Sequence, residues 1–440
     1  MEKLCWSRFN FLFKEGELNF LFNSYSSCLF KLDNDFYNEL IDISLNKQNI
    51  ENLSNDILHF FMQNYILVES DSVLVDKMQF KETAMLYSRD SISLTIAPTQ
   101  NCNFSCIYCF ENNRVNNRMT DETEENIIRY LKKQILEFGL KDINLTWYGG
   151  EPLLEISRIM SLSQKIQQLN VNLNQTIITN GYLFTPVNIE VLEQCKIKNV
   201  QITLDGFSDI HNARRPLKSG GKTFERIIKN IELYFNRTIN NSLYISIRVN
   251  VDNNNLKDYL SLYSFLKEKF PFDNFDVYPG WVTIKEGGKG FSSCVSINKQ
   301  NDFCLSLAEK GIKYQDIFPK FVTLCSVTNP YSMLIGPDGN IYKCWEDLGI
   351  EGKIVGNINT QMVWKNLELR AKYSCGVNRF NDPICRQCEY LPICNGGCPI
   401  RRFENKYEGS HNNYCTYFKG RLKEYVLMHY KEKISQHTNI

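Results

Sequence analysis

The stretch "SISLTIAPTQNCNFSCIYCFE" (residues 91–111) joins an alternating apolar run to three closely spaced cysteines. Its first part, "SISLTIAP", places apolar side chains at every second position, which predicts a β-strand with a buried face. Cys102, Cys106 and Cys109 follow within eight positions. Three close thiols suit a metal, but a closed zinc site or a fully protein-held iron–sulfur cluster usually takes four ligands. The spacing therefore predicts a metal centre with one coordination position left for another ligand.

Outward from this strand, β and α patterns alternate through the middle of the chain. Further apolar strand runs lie at 143–149, 175–181, 200–206, 244–251 and 275–281. Amphipathic helical patterns separate them, for example "DETEENIIRYLKKQILEF" and "TFERIIKNIELYF". Six such repeats predict an α/β fold with a parallel sheet, curled into a partial (β/α)6 TIM-like barrel.

Short glycine-containing motifs end the second, third and fourth of these strands. They read "YGGEP", "TNG" and "LDG", and the three cysteines follow the first strand. In β/α folds the chemistry lies on the loops at the carboxyl ends of the strands. We therefore expect the four motifs to converge on one rim of the barrel.

The composition narrows the choice of compartment and partners. The chain has 440 residues, of which 43% are hydrophobic and 22% charged, and its formal net charge is +1. No global charge favours nucleic acid, and no run approaches the ~18 apolar residues of a membrane helix. Sixteen cysteines in a chain without a recognisable secretion signal are typical of metal ligands in a reducing cytoplasm. We expect a cytoplasmic protein that binds neither nucleic acid nor membrane.

Cys-x3-Cys-x2-Cys after the first barrel strand, with "GGEP" after the second, resembles the radical S-adenosylmethionine (radical SAM) superfamily over roughly residues 90–290. The resemblance implies that Cys102, Cys106 and Cys109 hold a [4Fe–4S] cluster and that SAM occupies its fourth iron. It also implies a 5′-deoxyadenosyl radical that abstracts a hydrogen atom from the substrate. Soft thiolate ligands suit such a cluster.

The same resemblance assigns residues of the other motifs to SAM. Tyr108 lies between the last two cysteines, where the family has an aromatic residue near the adenine, and Arg215 matches the arginine that pairs with the SAM carboxylate. The full set of expected SAM contacts is Tyr108, Gly149, Gly150, Glu151, Asn180, Thr203 and Arg215. Tight strand–helix turns are the alternative for the glycines and Asn180. His211 is either a base or a loop or helix-start histidine.

Seven of the eight cysteines after residue 320, all except Cys375, have a spacing that resembles the SPASM extension of radical SAM enzymes that modify peptides and proteins. The resemblance implies two auxiliary [4Fe–4S] clusters, hence three in all. One set of ligands is Cys385, Cys388, Cys394 and Cys415, and the other is Cys325, Cys344 and Cys398. The fourth ligand of the second set stays open between Cys294, Cys304, Cys375 and the substrate. A zinc ribbon at 385–398 is the alternative interpretation.

The residue after Cys344 bears on the reaction. Sulfatase-maturing members of the family carry an aspartate at this point, whereas here Trp345 is followed by Glu346 and Asp347. The difference argues against formylglycine formation. Either acid remains a candidate catalytic base.

The flanking regions complete the predicted domain organisation. Residues 1–88 form a small α+β module with strands, two helices and a closing strand "SVLVDKMQF", which we interpret as a winged-helix-like unit that docks a leader peptide. A structural cap on the next domain is the alternative interpretation. The barrel spans 89–300, and the bridging region and SPASM domain span 301–420. A helix at 421–440 ends the chain.

Three functions of different classes follow from these features. The first is an oxidoreductase that modifies a ribosomal precursor peptide, with a cross-link (C–C, C–S or C–O) as the favoured product and a flavodoxin or ferredoxin as electron donor. The second is an anaerobic sulfatase-maturing, formylglycine-forming enzyme. The third is a binding or iron-storing protein whose clusters are structural, which the SAM-site residues disfavour.

Overall fold

The computed structural model describes residues 4–47, 49–109, 117–237, 241–283, 291–312, 325–416 and 418–437. The strands are Cys5–Trp6 (β1), Asn10–Glu15 (β2), Leu18–Asn23 (β3), Cys28–Leu32 (β4), Leu67–Val68 (β5), Ser91–Ile96 (β6), Asp142–Trp147 (β7), Asn172–Thr179 (β8), Ile197–Thr203 (β9), Tyr244–Val251 (β10), Phe275–Trp281 (β11), Met333–Ile335 (β12), Asn340–Tyr342 (β13) and Gly356–Asn357 (β14). The helices are Asn34–Ser44 (α1), Asn55–Gln63 (α2), Asp71–Tyr87 (α3), Asp121–Phe138 (α4), Ile156–Gln167 (α5), Pro186–Gln194 (α6), Ser208–Arg214 (α7), Phe224–Phe235 (α8), Tyr259–Lys269 (α9), Ile297–Glu309 (α10), Leu367–Ala371 (α11), Pro383–Arg386 (α12), Pro399–Tyr407 (α13) and Leu422–His437 (α14).

Contacts divide the chain into two compact units. The barrel unit comprises Tyr87–Ser296 and Asn329–Ser374. The terminal unit comprises Met1–Leu86, Ile297–Thr328 and Cys375–Ile440. The predicted domain boundaries remain a prediction.

The barrel unit is built on one sheet of strand order β11-β10-β9-β8-β7-β6-β12-β13-β14. Strands β6 to β11 are parallel to their neighbours, as the alternating pattern predicts. The predicted partial α/β barrel with its six parallel strands is therefore confirmed. Because all six strands run the same way, their carboxyl ends lie at one edge of the sheet.

Buried apolar side chains on alternating positions stabilise this sheet. On β6, Ile92, Leu94 and Ile96 are buried, and α8 turns Ile227 and Ile231 inward at helical spacing. Each such fully buried aliphatic side chain contributes about 1.5–3 kcal/mol relative to exposure. The core thus holds the strand ends, and with them the rim motifs, in fixed positions.

Three short strands between residues 333 and 357 join the barrel sheet, and the sequence pattern does not predict them. Strand β12 pairs in parallel with β6, with Leu334 opposite Thr95, and β13 and β14 extend the sheet antiparallel. These strands have three residues or fewer. A periodicity of two cannot be read from so short a run, which is why sequence pattern misses them.

The terminal unit starts with a three-stranded antiparallel sheet of order β2-β3-β4. Gly16 takes a positive φ of 56° in the "KEGE" turn (14–17) between β2 and β3. Helices α1 and α2 begin at side-chain caps from Asp33 and Ser54. Leu21, Leu40 and Phe61 from these elements share one apolar core.

The predicted closing strand over "SVLVDKMQF" is wrong, because this stretch lies in helix α3. Val73 and Val75 favour a strand locally. The buried residues Leu74, Val75, Glu82 and Leu86 nevertheless recur at helical spacing, and the segment continues through strong helix formers. Packing of this face overrides the local β preference.

The first 86 residues share a core with the cysteine-rich end of the chain. Phe9 and Val75 belong to one apolar cluster with Phe380 and Leu391. The buried guanidinium of Arg379 pairs with Glu82 at 2.8 Å. The N-terminal segment and residues 375–440 therefore depend on each other for burial.

None of the helices within the described ranges combines the length and the apolar character needed to cross a bilayer.

Candidate functional site

The loop that carries the three rim cysteines, Cys102, Cys106 and Cys109, is held by the segment after α7. The amide of Ser105 donates to the carbonyl of Pro216 at 2.9 Å, and the amide of Ile107 donates to that of Arg214 at 3.0 Å. Phe104 forms an isolated bridge with Leu217. The loop after β6 is thus positioned by the chain that follows β9.

The two glycines of "YGGEP" allow a close backbone approach to the same loop. A Cβ on Gly149, whose φ is 112°, would lie 2.4 Å from the Thr99 carbonyl oxygen, and one on Gly150 would lie 2.1 Å from that of Asn101. The amide of Glu151 donates to the Asn101 carbonyl at 2.7 Å. Only glycine fits at these positions without moving the loop before Cys102.

Glu151 and Asn180 join the second and third motifs. The fully buried Glu151 carboxylate accepts from the Asn180 amide at 2.8 Å and from the Thr179 hydroxyl at 2.7 Å. The Asn180 side-chain amide donates to Asn103 at 2.7 Å and lies 3.9 Å from Cys102 Sγ. Burial raises the pKa of Glu151, and these hydrogen bonds act against that shift. The visible contacts of Glu151 hold loops together, and its predicted contact with SAM remains a prediction.

Arg215 brings a buried positive charge to the rim. Its Nη1 donates to the Tyr108 hydroxyl at 2.6 Å, and Asn250 donates to the same oxygen at 3.0 Å. Among the described residues no acceptor meets the buried Arg215 Nε. A buried guanidinium N–H without an acceptor is suited to a carboxylate ligand.

The "LDG" motif is fixed by a buried charge network. Arg214 bridges Asp205 at 2.9 Å and Asp252 at 2.7 Å. His211 Nδ1 accepts the Asp205 amide at 3.2 Å, and burial, with Arg215 and Arg214 nearby, lowers the pKa of this fully buried imidazole. The contacts of His211 are those of a residue that orders the start of α7. Thr203 is buried at the last position of β9, opposite Arg248.

The three rim thiols lie close enough to influence one another. The pKa of Cys106 is raised to about 11, chiefly by burial and also by Cys102 and Cys109, while Arg215 acts in the opposite direction. Within the described part of the chain, no three cysteine, histidine, aspartate or glutamate side chains are arranged to coordinate a single metal ion. The three thiols are nevertheless the kind of ligand atom that holds an iron–sulfur cluster. Arg215 Nε, which has no acceptor among the described residues, suits a ligand that carries a carboxylate.

A second set of thiols lies in the terminal unit, and we call Cys385, Cys388, Cys394 and Cys415 the four-thiol group. Burial is the largest cause of the raised pKa of Cys385 and of Cys388. Cys394 also raises the pKa of both thiols, and Cys415 raises that of Cys388. The four side chains therefore share one neighbourhood. Four soft donors match the ligand set of a closed cluster.

Two cations lie against the four-thiol group. The buried Arg402 donates from Nη2 to Cys385 Sγ at 2.7 Å, from Nη1 to Asp382 at 2.9 Å and from Nε to the Gly396 carbonyl at 2.7 Å. Lys419 Nζ lies 3.6 Å from Cys415 Sγ. These contacts compensate negative charge on the sulfurs.

The remaining predicted ligands are divided between the units. Cys344 belongs to the barrel unit, whereas Cys325 and Cys398 belong to the terminal unit. Of the candidates for a fourth ligand, Cys304 is buried in α10 while Cys375 is exposed, and Cys294 is half-buried. The assignment of this auxiliary cluster remains a prediction.

The residues after Cys344 have clear structural partners. Trp345 stacks on Tyr148 with ring centroids 4.8 Å apart and donates from its indole to Thr95 at 3.2 Å. Asp347 accepts from the Cys344 amide at 3.3 Å and from the Tyr373 hydroxyl at 2.8 Å. Burial raises the pKa of Asp347 to about 6. Asp347 therefore holds the turn at Cys344, while Glu346 beside it is half-buried.

Sequence reasoning misses several residues that hold these sites. Arg214, Asn250 and Arg402 act on motif residues that are distant in the sequence. The doubled arginine in "ARRP" offers a weak signal for Arg214. A single polar residue on a strand or helix, such as Asn250 or Arg402, offers none.

Comparison with known families identifies the class. Residues 96–266 match the model of the Radical SAM superfamily. The chain therefore carries a radical SAM domain over these residues, and it is an enzyme whose cofactors are a [4Fe–4S] cluster and S-adenosylmethionine.

Individual relatives cover most of the chain at low identity. A "Cysteine-type anaerobic sulfatase-maturating enzyme" of Clostridium perfringens is 25% identical over 364 residues, covering 74% of this chain and 94% of that protein. The "Radical SAM cyclopropyl synthase TigE" of Paramaledivibacter caminithermalis is 24% identical over 458 aligned residues, covering 92% of this chain and 91% of that protein.

A solved structure, native anSMEcpe with bound AdoMet and Cp18Cys peptide, has a TM-score of 0.61 at 22% identity and covers 79% of this chain and 99% of that chain. The likeness at this identity shows a shared fold.

Proposed function

We propose that this enzyme is a maturase that abstracts hydrogen from a ribosomally synthesised precursor peptide and installs an intramolecular cross-link. One observation carries the proposal. The chain contains three rim thiols beside Arg215, whose buried Nε has no acceptor among the described residues, and it also contains the four-thiol group. Two relatives support the substrate and product class, since one solved neighbour is named with a bound peptide and TigE is named a cyclopropyl synthase.

The rim residues have distinct roles in this proposal. Cys102, Cys106 and Cys109 would hold the cluster, which supplies, when bound, the electron that cleaves SAM to the hydrogen-abstracting 5′-deoxyadenosyl radical. Arg215 binds the SAM carboxylate through its open Nε. Gly149 and Gly150 would keep backbone groups accessible to SAM, and Tyr108, whose hydroxyl is held by Arg215 and Asn250, would contact the adenine.

Cross-linking removes two hydrogens from the peptide, so the enzyme needs a base and an acceptor for an electron in addition to the radical. Glu346 and Asp347 are the candidate bases in this proposal, and Asp347 also accepts from the Cys344 amide and the Tyr373 hydroxyl. The four-thiol group would hold an auxiliary cluster suited to the electron. A flavodoxin or ferredoxin supplies the reducing equivalent that starts each cycle.

Formylglycine formation is the second candidate, favoured by similarity to the Clostridium perfringens enzyme. The neutral indole of Trp345, packed on Tyr148 and bonded to Thr95, stands in place of the expected aspartate. The alignment with TigE also covers 92% of this chain, whereas the alignment with the sulfatase-maturating enzyme covers 74%. Both observations favour the cross-linking maturase.

Leader docking at the N-terminal sheet is part of the proposal. Strands β2 and β4 flank β3, and neither has a second strand partner among the described residues. An extended peptide can add to such an edge through main-chain hydrogen bonds. Because residues 1–86 share a core with 375–440, hydrogen–deuterium exchange suits this question better than deletion. Protection of β2 or β4 amides by the leader would support docking, and unchanged exchange in both strands would contradict it.

Co-expression tests the function directly. The enzyme is produced with each small open reading frame beside its gene, and in parallel with a cysteine-containing sulfatase peptide. A loss of two hydrogens from the precursor supports the cross-linking maturase. The matched control replaces all three rim cysteines by alanine and should leave the mass unchanged. Conversion of the sulfatase peptide alone would establish the second candidate instead.

A further inference from the structure

A large pocket in the barrel unit lies away from the cysteine loop. Its volume is about 700 Å³, and α4, residues 358–364 and the segment before β12 supply most of its wall. Arg89 precedes β6, Tyr331 precedes β12 and Phe138 ends α4. These positions lie toward the amino ends of the parallel strands, whereas the rim cysteines follow the carboxyl end of β6. The pocket is therefore separate from the SAM site.

Unneutralised positive charge distinguishes this pocket. Arg89, Arg129 and Arg370 line it, and no carboxylate within the described ranges forms an ion pair with any of the three. Among the described residues, Arg129 donates only to Asn126, and Glu137 is the one acidic residue of the wall. Lys133 lies 3.8 Å from Glu137. Burial lowers the pKa of Arg370, as expected for a desolvated cation without a counter-ion.

Aromatic rings hold two of these guanidinium groups in place. Arg89 lies 3.7 Å from the ring centroid of Phe138 and 4.5 Å from that of Tyr331. Arg370 lies 4.1 Å from the ring centroid of Trp364. A guanidinium stacked on a ring keeps its in-plane N–H donors free for a carboxylate. The wall thus combines ordered donors with apolar surface.

We propose that this pocket binds an acidic segment of the peptide substrate, with glutamate or aspartate carboxylates on the arginines and apolar side chains on the rings. The proposal rests on the peptide substrate proposed above. The wall along α4 runs from Asn126 to Phe138, about 18 Å of helix. An extended segment fills this length, whereas an isolated phosphate would occupy one end. Binding far from the reacting atoms raises the local concentration of the substrate, so it lowers KM and leaves kcat unchanged.

Fluorescence anisotropy on the full-length enzyme tests the proposal without SAM or reductant. The probe is a short fluorescein-labelled peptide of alternating glutamate and phenylalanine, and its glutamine counterpart is the control ligand. We expect the acidic probe to bind, with an affinity that falls as salt rises, and the glutamine probe to bind at least about tenfold more weakly. Equal binding of the two probes would overturn the proposal.

Variants locate the binding. Arg129→Glu reverses an exposed charge of the pocket, and Met362→Glu adds a carboxylate at a lining position that is 71% exposed. Each should weaken binding of the acidic probe about tenfold. Lys132→Glu makes the same charge change on an exposed residue of α4 outside the pocket and should change the affinity less than about twofold. Equal effects of Arg129→Glu and Lys132→Glu would show that the probe binds elsewhere.

A kinetic measurement distinguishes an acidic peptide from an acidic electron-donor protein as the occupant of the pocket. If Arg129→Glu raised the KM for an acidic flavodoxin in SAM cleavage while the acidic peptide failed to bind, the partner class would be wrong. Because the binding assay involves no turnover, failure to find any modified precursor would refute the proposed function and leave the anisotropy result unaffected.

Discussion

The rim cysteines and the four-thiol group use the same ligand atom in different surroundings. At the rim, Arg215 Nε is buried and has no acceptor among the described residues. At the four-thiol group, all three nitrogens of Arg402 donate, to Gly396, Asp382 and Cys385. Arg215 therefore keeps its Nε–H for a ligand from outside, whereas every nitrogen of Arg402 already donates to a group of this chain.

The difference in ligand number points the same way. Three thiols leave one iron of a [4Fe–4S] cluster without a protein ligand, whereas four thiols close the set. An open iron beside an open guanidinium is an arrangement for binding and reacting. A closed set beside cations is suited to holding charge, so the proposed function assigns the reaction to the rim and the electron to the four-thiol group.

Replacing each set of thiols should separate the two roles most sharply. We expect the Cys102→Ala, Cys106→Ala, Cys109→Ala triple variant to lose 5′-deoxyadenosine production completely, because the site that binds SAM is gone. The corresponding quadruple alanine variant of the four-thiol group should still cleave SAM but fail to release modified peptide. Chromatography of 5′-deoxyadenosine measures both. Continued SAM cleavage in the triple variant would mean that the reactive site lies elsewhere.

Iron content gives the next largest difference. With three [4Fe–4S] clusters the anaerobically reconstituted enzyme should hold about twelve irons per chain, and loss of either thiol set should remove about four. Iron and sulfide analysis of the parent and both variants gives the numbers. If the iron content of the parent enzyme reached a plateau at about four irons per chain and the enzyme retained zinc, the four-thiol group would be a zinc site.

Arg215→Lys probes the open donor at the rim. Lysine keeps the charge but has no planar fork, so the bond to Tyr108 and the open Nε donor cannot both be reproduced. We expect KM for SAM to rise about tenfold or more, with iron content unchanged. Arg226→Lys, on the exposed side of α8, is the control and should leave KM unaltered. An unaltered KM in Arg215→Lys would remove the proposed carboxylate contact.

The barrel and its rim could be predicted from the sequence because their signals are local. Ile92, Leu94 and Ile96 occupy alternate positions of one strand. Parallel strands bring "GGEP" and "TNG" to the same edge of the sheet as the cysteine loop, and this holds for any conformation of the loops. Glycine at 149 and 150 is likewise readable as a close backbone approach. Here local pattern and topology agree.

The remaining features depend on partners that are distant in the sequence. Strand β12 is too short to show a period and forms because β6 offers an edge. Residues 72–80 have strand-like valines, yet α3 forms because its buried face packs in the terminal unit. The contact of Arg402 with Cys385 joins residues 17 positions apart, and no motif marks it. Tertiary packing decides each of these cases.

The smallest expected effect concerns the electron site itself. Arg402→Met removes a positive charge and a hydrogen bond from Cys385 Sγ. Reduction adds a negative charge to a cluster, so a neighbouring cation favours the reduced form, and its loss should lower the midpoint potential by on the order of tens of millivolts. Redox titration followed by electron paramagnetic resonance, in the background of the rim triple variant, removes the signal of the SAM-binding cluster and leaves those of the auxiliary clusters. Lys406→Met makes the same charge change on α13, where Lys406 donates to the Gly376 carbonyl, and should leave the potential in place. If both variants titrate like the parent, Arg402 does not act on a cluster, and the contrast with Arg215 would then lie in ligand number alone.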